Sequence, residues 1–238
     1  MDRKLYVVVM AAGSGTRMGA SIPKQFLDLG GEPVLKRTID RFSRAFPDAR
    51  MVTVLPKDSV EYWKEWCMTH GFHTPQIIVE GGFTRFHSVR NALARIPDGA
   101  VVAIHDGVRP LVTDALLKSM MERMETCRAL IPVTPMVDTL KVLRKGKDGC
   151  LETAEGVHVD RSMVYGAQTP QMFLSEDLKA AYELPYDTAY TDDASVAAAK
   201  KIPLSYIEGE RYNIKLTTPD DLQMALAILR IRGEYAGD

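Results

Sequence analysis

The stretch Val7-Val8-Val9-Met10-Ala11-Ala12-Gly13-Ser14-Gly15-Thr16-Arg17-Met18-Gly19, with Ile22-Pro23-Lys24-Gln25-Phe26 close behind it, decides how the chain is read. An apolar run of strand length breaks off into small residues and glycines. Gly13, Gly15 and Gly19 permit dihedrals and close backbone approaches that a Cβ would block. A loop of that kind at the carboxyl end of a buried strand can turn its N–H groups inward and cradle phosphates. Arg17 adds a planar cation and Lys24 a point charge, the side chains best matched to phosphate oxygens. Pro23 stiffens the approach to Lys24. Two common loops do not fit. The dinucleotide fingerprint G-x-G-x-x-G needs its third glycine one position before Gly19, and G-x-x-x-x-G-K-[ST] needs a Gly-Lys pair that this stretch lacks. A plain glycine turn with two solvated cations is the alternative; cations on both sides of the glycines favour a triphosphate site.

Composition bounds the rest. The 238 residues allow one large α/β domain or two small ones, and a hydrophobic content of 46% suits a sizeable core. A net charge of −1 leaves no electrostatic footprint for nucleic acid or an anionic membrane surface, so an anion site must come from a few placed cations. The three cysteines, Cys67, Cys127 and Cys150, are scattered and fit neither a disulfide framework nor a metal-ligand spacing. No apolar run approaches the roughly 20 residues of a membrane span. Met1-Asp2-Arg3-Lys4 leads straight into a strand rather than a secretory signal. The expected setting is soluble, reducing and cytoplasmic, with neither nucleic acid nor membrane as a partner.

Outward from the opening stretch, strands and helices alternate. Strands are expected at 5–10, 51–55, 76–79, 101–104 and 130–133. A helix is expected with Pro33 as its first residue, and Val34, Leu35, Thr38, Ile39 and Phe42 fall at helical spacing behind it. Others are expected after a cap at Asp58 or Ser59, after Thr84, and over 113–127. This alternation implies an α/β fold, a parallel sheet with right-handed crossovers and helices on both faces.

From Met136 the rhythm breaks. Residues 139–144 alternate, 145–149 turn, and 157–161 form a second strand-like piece. The result is a hairpin arm at about 136–162 with too little apolar surface for a core of its own. Such an arm needs a partner, and a second copy of the chain is the economical one, so a homodimer is expected. Beyond it come an irregular loop at Gln168-Thr169-Pro170-Gln171, a helix from near Ser175, another over 191–200, and a last strand at 204–208. A loop at Asn213-Ile214-Lys215 precedes a terminal helix capped at Thr218-Pro219. Asp192 and Asp193 read as a helix cap rather than a metal pair. The chain, 1–238, reads as one domain carrying the arm.

Polar features gather where the strands end, the edge at which open α/β sheets bind ligands. Gly81 and Gly82 close the third strand and let backbone groups read the edge of a flat base, with Ser88 able to add a hydroxyl bond. A turn beside a helix-surface serine is the plain alternative. Asp106 closes the fourth strand, where a carboxylate can hold a ribose hydroxyl or Mg²⁺, a hard cation preferring oxygen ligands, or merely cap a turn. Arg109 reaches a sugar phosphate or pairs with a surface acid. His105 is a candidate supporting partner. No Ser, His and acid set suggests a covalent nucleophile.

Together, A-A-G-S-G-T-R-M at 11–18, P-K-Q-F at 23–26, G-G-x-x-R-x-x-S-V at 81–89, H-D-G-V-R-P at 105–110 and N-I-K at 213–215 carry a resemblance. They resemble the nucleotidyltransferases that activate sugars, and within that group the 2-C-methyl-D-erythritol 4-phosphate cytidylyltransferase family of the non-mevalonate isoprenoid pathway. The sister family is ribitol-5-phosphate cytidylyltransferase. The resemblance spans about residues 5–230 and implies a Rossmann-like nucleotidyltransferase fold with a protruding β-arm. It implies cytidylyl transfer from CTP to a polyol phosphate, with Mg²⁺ or another divalent cation. Ala11, Ala12, Gly13 and Gly15 would line the nucleotide; Gly81, Gly82, Arg85 and Ser88 would hold cytosine; Asp106 would serve nucleotide and metal. Arg17 and Lys24 would stabilise the transition state. Thr139 and Arg161 would reach the phosphate end of the sugar alcohol across a dimer, and Lys215 would position the acceptor. Phe83 departs from the pattern, because an acidic residue often follows the glycines in that family. The rivals are ribitol 5-phosphate as acceptor, a non-catalytic nucleotide sensor on the same fold, and an NAD-dependent oxidoreductase, against which the misplaced third glycine counts.

Overall fold

A computed structural model describes residues 3–13, 22–154 and 159–235. Strand β1 (Leu5–Met10) has Val7 and Val9 in one apolar cluster and Val8 in another, so both its faces are buried. A strand of that kind needs cover on two sides. Helices α1 (Val34–Ala45), α2 (Val60–Thr69) and α4 (Asp114–Arg123) cover one face; α3 (Arg85–Leu93), α5 (Ser175–Tyr182) and α6 (Asp193–Ala199) cover the other. The terminal helix α7 (Pro219–Ile231) packs in a third cluster with Leu29, Val34, Leu111 and Leu216.

Five further strands complete the centre: β2 (Arg50–Leu55), β3 (Gln76–Glu80), β4 (Val101–Asp106), β5 (Ala129–Pro135) and, late in the chain, β10 (Ser205–Glu208). Two short strands, β8 (Tyr165–Ala167) and β9 (Gln171–Leu174), join them in an eight-stranded sheet ordered β10-β5-β9-β4-β1-β2-β3, with β8 paired to β5. Pairs β1–β2, β1–β4, β2–β3 and β10–β5 are parallel; β8 and β9 run antiparallel to their neighbours. The sheet is therefore mostly parallel, as expected. The chain leaves β1 on one side for β2 and β3, then returns to its other side for β4. That reversal opens a crevice at the carboxyl ends of β1 and β4, where Met10 stands in register with Asp106.

Three expectations change. The stretch 168–171 was expected to be irregular throughout, but Gln171 begins β9, wedged between β4 and β5 with Gln171, Met172 and Phe173 buried. Its apolar core is too short to announce a strand beside Pro170. The arm hairpin is shorter and shifted: β6 (Leu143–Lys145) pairs with β7 (Leu151–Thr153), not with 157–161. The tight turn explains this, since Gly149 has φ +83° and the Gly146 N–H donates to the Cys150 carbonyl, bringing the chain back at once. Val157 and His158 lie outside the described residues, and the Asp160 carboxylate accepts from the Ser162 N–H, starting a 3₁₀ turn over Arg161–Met163 rather than a strand. Finally, Pro33 is the N-cap of α1 rather than its first residue, and Ser59 stands at the expected cap of α2 but makes no side-chain cap bond. Among the described residues no helix is long and apolar enough to cross a membrane.

Candidate active site

A cavity of about 450 Å³ opens at the crevice, within the range of small-molecule sites. Ala11, Ala12 and Gly13 leave β1 along one wall, and Gly82, Arg85 and Ser88 form another. Asp106, Lys24 and Lys215 bring charge to it. Gly15 and Arg17 lie outside the described residues.

Lys24 reaches the cavity because its neighbours point elsewhere. The 3₁₀ turn Lys24–Phe26 follows Pro23. Gln25, 1% exposed, donates its side-chain amide to the Ala11 carbonyl at 2.8 Å. Phe26 is buried against Tyr62 and Trp63. Two inward anchors therefore aim the lysine at the end of β1.

The second wall depends on glycine for space. A Cβ on Gly81 would stand 2.6 Å from the Ala12 Cβ, and one on Gly82 would stand 2.5 Å from the His87 Cβ. Ser88 is engaged within the protein. Its hydroxyl accepts the Gly82 N–H at 2.9 Å and donates to the Thr84 carbonyl at 2.9 Å. It thus fixes the glycine turn while Thr84 caps α3.

Asp106 is the charge centre. It is 7% exposed, and its Oδ2 receives the Lys215 ammonium at 3.1 Å and the Arg109 Nε at 3.0 Å. Burial opposes its ionisation, but Lys215, then Arg109 and Arg85, outweigh burial and hold the carboxyl well below the usual carboxylate range. Arg109 also donates to the Asn213 carbonyl at 2.7 Å. It therefore pairs with a buried acid, not a surface one, and does not line the cavity. His105 supports the same centre from beneath. Its Nε2–H donates to the Arg109 carbonyl at 3.0 Å, so Nδ1 accepts from the Thr169 hydroxyl at 3.1 Å. The Thr169 oxygen in turn accepts the Asp106 N–H at 3.0 Å. Burial lowers the His105 pKa to about 4, so this ring is neutral near pH 7.

Arg85 lines the cavity but its guanidinium is held in a two-pronged pair with Asp193, at 2.9 and 2.5 Å. Asp193 is fully buried and also accepts from the Tyr182 hydroxyl at 2.6 Å. The Asp192-Asp193 pair therefore divides: Asp192 caps α6, and Asp193 anchors Arg85.

Asp106 is the one carboxylate among the described residues lining the cavity. No group of three or more His, Cys, Asp and Glu among the described residues is arranged to hold a metal. That donor set does not suit an ion caged by protein. It does suit Mg²⁺, which keeps waters and takes other ligands from substrate phosphates.

Thr139 and Arg161 are not brought to this cavity within one chain. Both are exposed, and Arg161 donates to the Val137 carbonyl at 2.8 Å. Sequence reasoning gave no role to Gln25, Thr169 or Asn213, and read Asp193 only as part of a helix cap. Gln25 and Asn213 sat inside quoted motifs, and a buried amide beside a lysine is the signal that would have exposed them. Thr169 and Asp193 meet their partners only through the tertiary fold.

The fold is shared with a solved 4-diphosphocytidyl-2C-methyl-D-erythritol synthase from Anaerococcus prevotii, at TM-score 0.76 and 27% identity over 96% of this chain and 99% of that one. With a cationic crevice at the switch point, this defines the chain as a nucleotidyltransferase. Its particular family follows from sequence: the profile of 2-C-methyl-D-erythritol 4-phosphate cytidylyltransferase (IspD) matches residues 5–231, and the chain belongs to that family. A relative from Bacteroides fragilis bearing that name is 42% identical over 222 residues, 93% of this chain and 98% of its own length. One from Porphyromonas gingivalis is 44% identical over 230 residues, 96% and 99% of the two chains.

Proposed function

We propose that the chain transfers the cytidylyl group of CTP to 2-C-methyl-D-erythritol 4-phosphate, releasing pyrophosphate, in the making of isoprenoid precursors. The observation that carries this is the crevice between β1 and β4, where Lys24 and Lys215 face a buried Asp106 in a chain of this family.

A phosphate oxygen of the acceptor attacks the α-phosphorus of CTP. The new P–O bond forms as the bond to the β-phosphate oxygen breaks in line, and pyrophosphate leaves. No protein atom bonds to phosphorus, so catalysis is positioning and charge stabilisation. Lys24, with Arg17, neutralises the charge that grows on the triphosphate. Backbone groups of 11–13 and of Gly81 and Gly82 hold the nucleotide, and Ser88 keeps that turn in shape. Asp106 orients Lys215 towards the acceptor side, with Arg109 bracing the carboxylate from outside the cavity, and it would share a Mg²⁺ with the phosphates. When bound, that ion screens phosphate charge and polarises the α-phosphoryl group. Thr139 and Arg161 act on the acceptor phosphate of a second copy, through the arm of a homodimer.

An assay offering the two polyol phosphates in turn, each with CTP, UTP and ATP, tests this reading. Pyrophosphate release with CTP and methylerythritol phosphate is expected. Faster release with ribitol 5-phosphate would move the chain to the sister activity, and CTP binding without any release would make it a sensor.

A further inference from the structure

Phe83 is the most exposed large apolar side chain among the described residues, at 102% of its reference area. It stands at the rim of the cavity, directly after the Gly81-Gly82 turn. Its backbone is well anchored on both sides. The Gly81 N–H donates to the Leu55 carbonyl at 2.8 Å, the Gly82 N–H to Ser88, and Thr84 caps α3. The ring itself has no aromatic partner among the described residues. Phe86, one turn on, behaves in the opposite way: it is buried and stacks with Tyr182 and Tyr190. A rigid turn thus presents a bare aromatic face beside the wall assigned to the nucleobase.

Resting on the CTP reading of this cavity, we propose that Phe83 closes over the base of the bound nucleotide and stacks on its face. Every base has a π-face, so stacking supplies affinity without choosing among bases. Base identity is then left to the backbone groups of the glycine turn, which meet the edge of the ring. An aromatic residue here does the holding that a charged side chain cannot do through its face.

Calorimetric titration of the full chain with CTP, UTP and inorganic tripolyphosphate tests the idea. In Phe83→Ala, the affinity for CTP should fall by about tenfold or more. UTP should weaken by the same factor, so the CTP-to-UTP ratio holds, and tripolyphosphate, which has no base, should bind as before. Phe83→Trp should restore CTP binding, and the loss in turnover should appear in KM for CTP more than in kcat. Equal CTP affinity in wild type and Phe83→Ala overturns the stacking proposal alone, as does an equal loss for tripolyphosphate. A wild-type chain that binds tripolyphosphate no more weakly than CTP overturns this proposal together with the CTP reading.

Discussion

In the crevice, Asp106 draws Lys215 and Arg109 onto one buried oxygen, and His105 and Thr169 brace it from below. In the arm, Arg161 rests on a backbone carbonyl, and Val137, Leu143, Leu151 and Met163 are exposed. The first region is preorganised within a single chain, because low dielectric and fixed partners hold its charges in place. The second has cations and apolar surface but neither burial nor a core. A two-stranded ribbon of that size is not stable by itself in water. The contrast teaches that the crevice holds its own charges within one chain, whereas the arm needs a contact beyond itself, which the proposed function assigns to a second copy completing the acceptor half.

Lys24→Ala probes the self-contained half and should give the largest effect. Losing one transition-state contact lowers kcat by about 10²–10³-fold, while CTP binding should suffer far less. Equal losses in both would mean that the lysine binds ground state and transition state alike. Arg161→Ala probes the shared half. It should itself be poorly active, yet mixing it with Lys24→Ala should recover about a quarter of wild-type activity, since half of randomly paired dimers contain one intact site of two. No recovery would erase the division between the two regions, as would a fully active monomer in sedimentation.

Stability separates the regions too. The His105 pKa is depressed to about 4 from 6.5, so the folded state favours the neutral ring. Its contribution is fully present above about pH 6.5 and is lost as pH falls towards 4, on the order of 3 kcal/mol in all. Urea unfolding at about pH 7 and about pH 4.5 should therefore show a steeper loss in wild type than in His105→Gln. Equal slopes would remove the buried neutral imidazole from the account. The smallest effect belongs to Ser88→Ala, which leaves the Gly82 N–H unpaired and should cost about 1 kcal/mol of stability, read as a lowered urea midpoint. An unchanged midpoint would mean that the turn does not need its hydroxyl brace.

Much of this was legible in the chain. Val7-Val8-Val9 declared a strand covered on both faces, and the caps at Thr84, Asp192 and Thr218 are where polar side chains preceded apolar periodicity. Lys24, Asp106 and Lys215 were visible because each sits inside a quoted motif, and they meet in one cavity. What stayed hidden depends on distance along the chain. Nothing local tells Arg85 that Asp193 lies beside it, or tells Ser88 that its hydroxyl braces the Gly82 N–H. Strand β9 was missed because it is four residues long and enters the sheet antiparallel, where local alternation gives no sign of its neighbours.

The anchoring of Gln25 on the Ala11 carbonyl and of Phe26 on Tyr62 and Trp63 has a consequence for engineering. The lysine is fastened to the scaffold by the two residues that follow it. A substitution at Gln25 or Phe26 can thus shift the station of the ammonium while the lysine itself stays in the sequence.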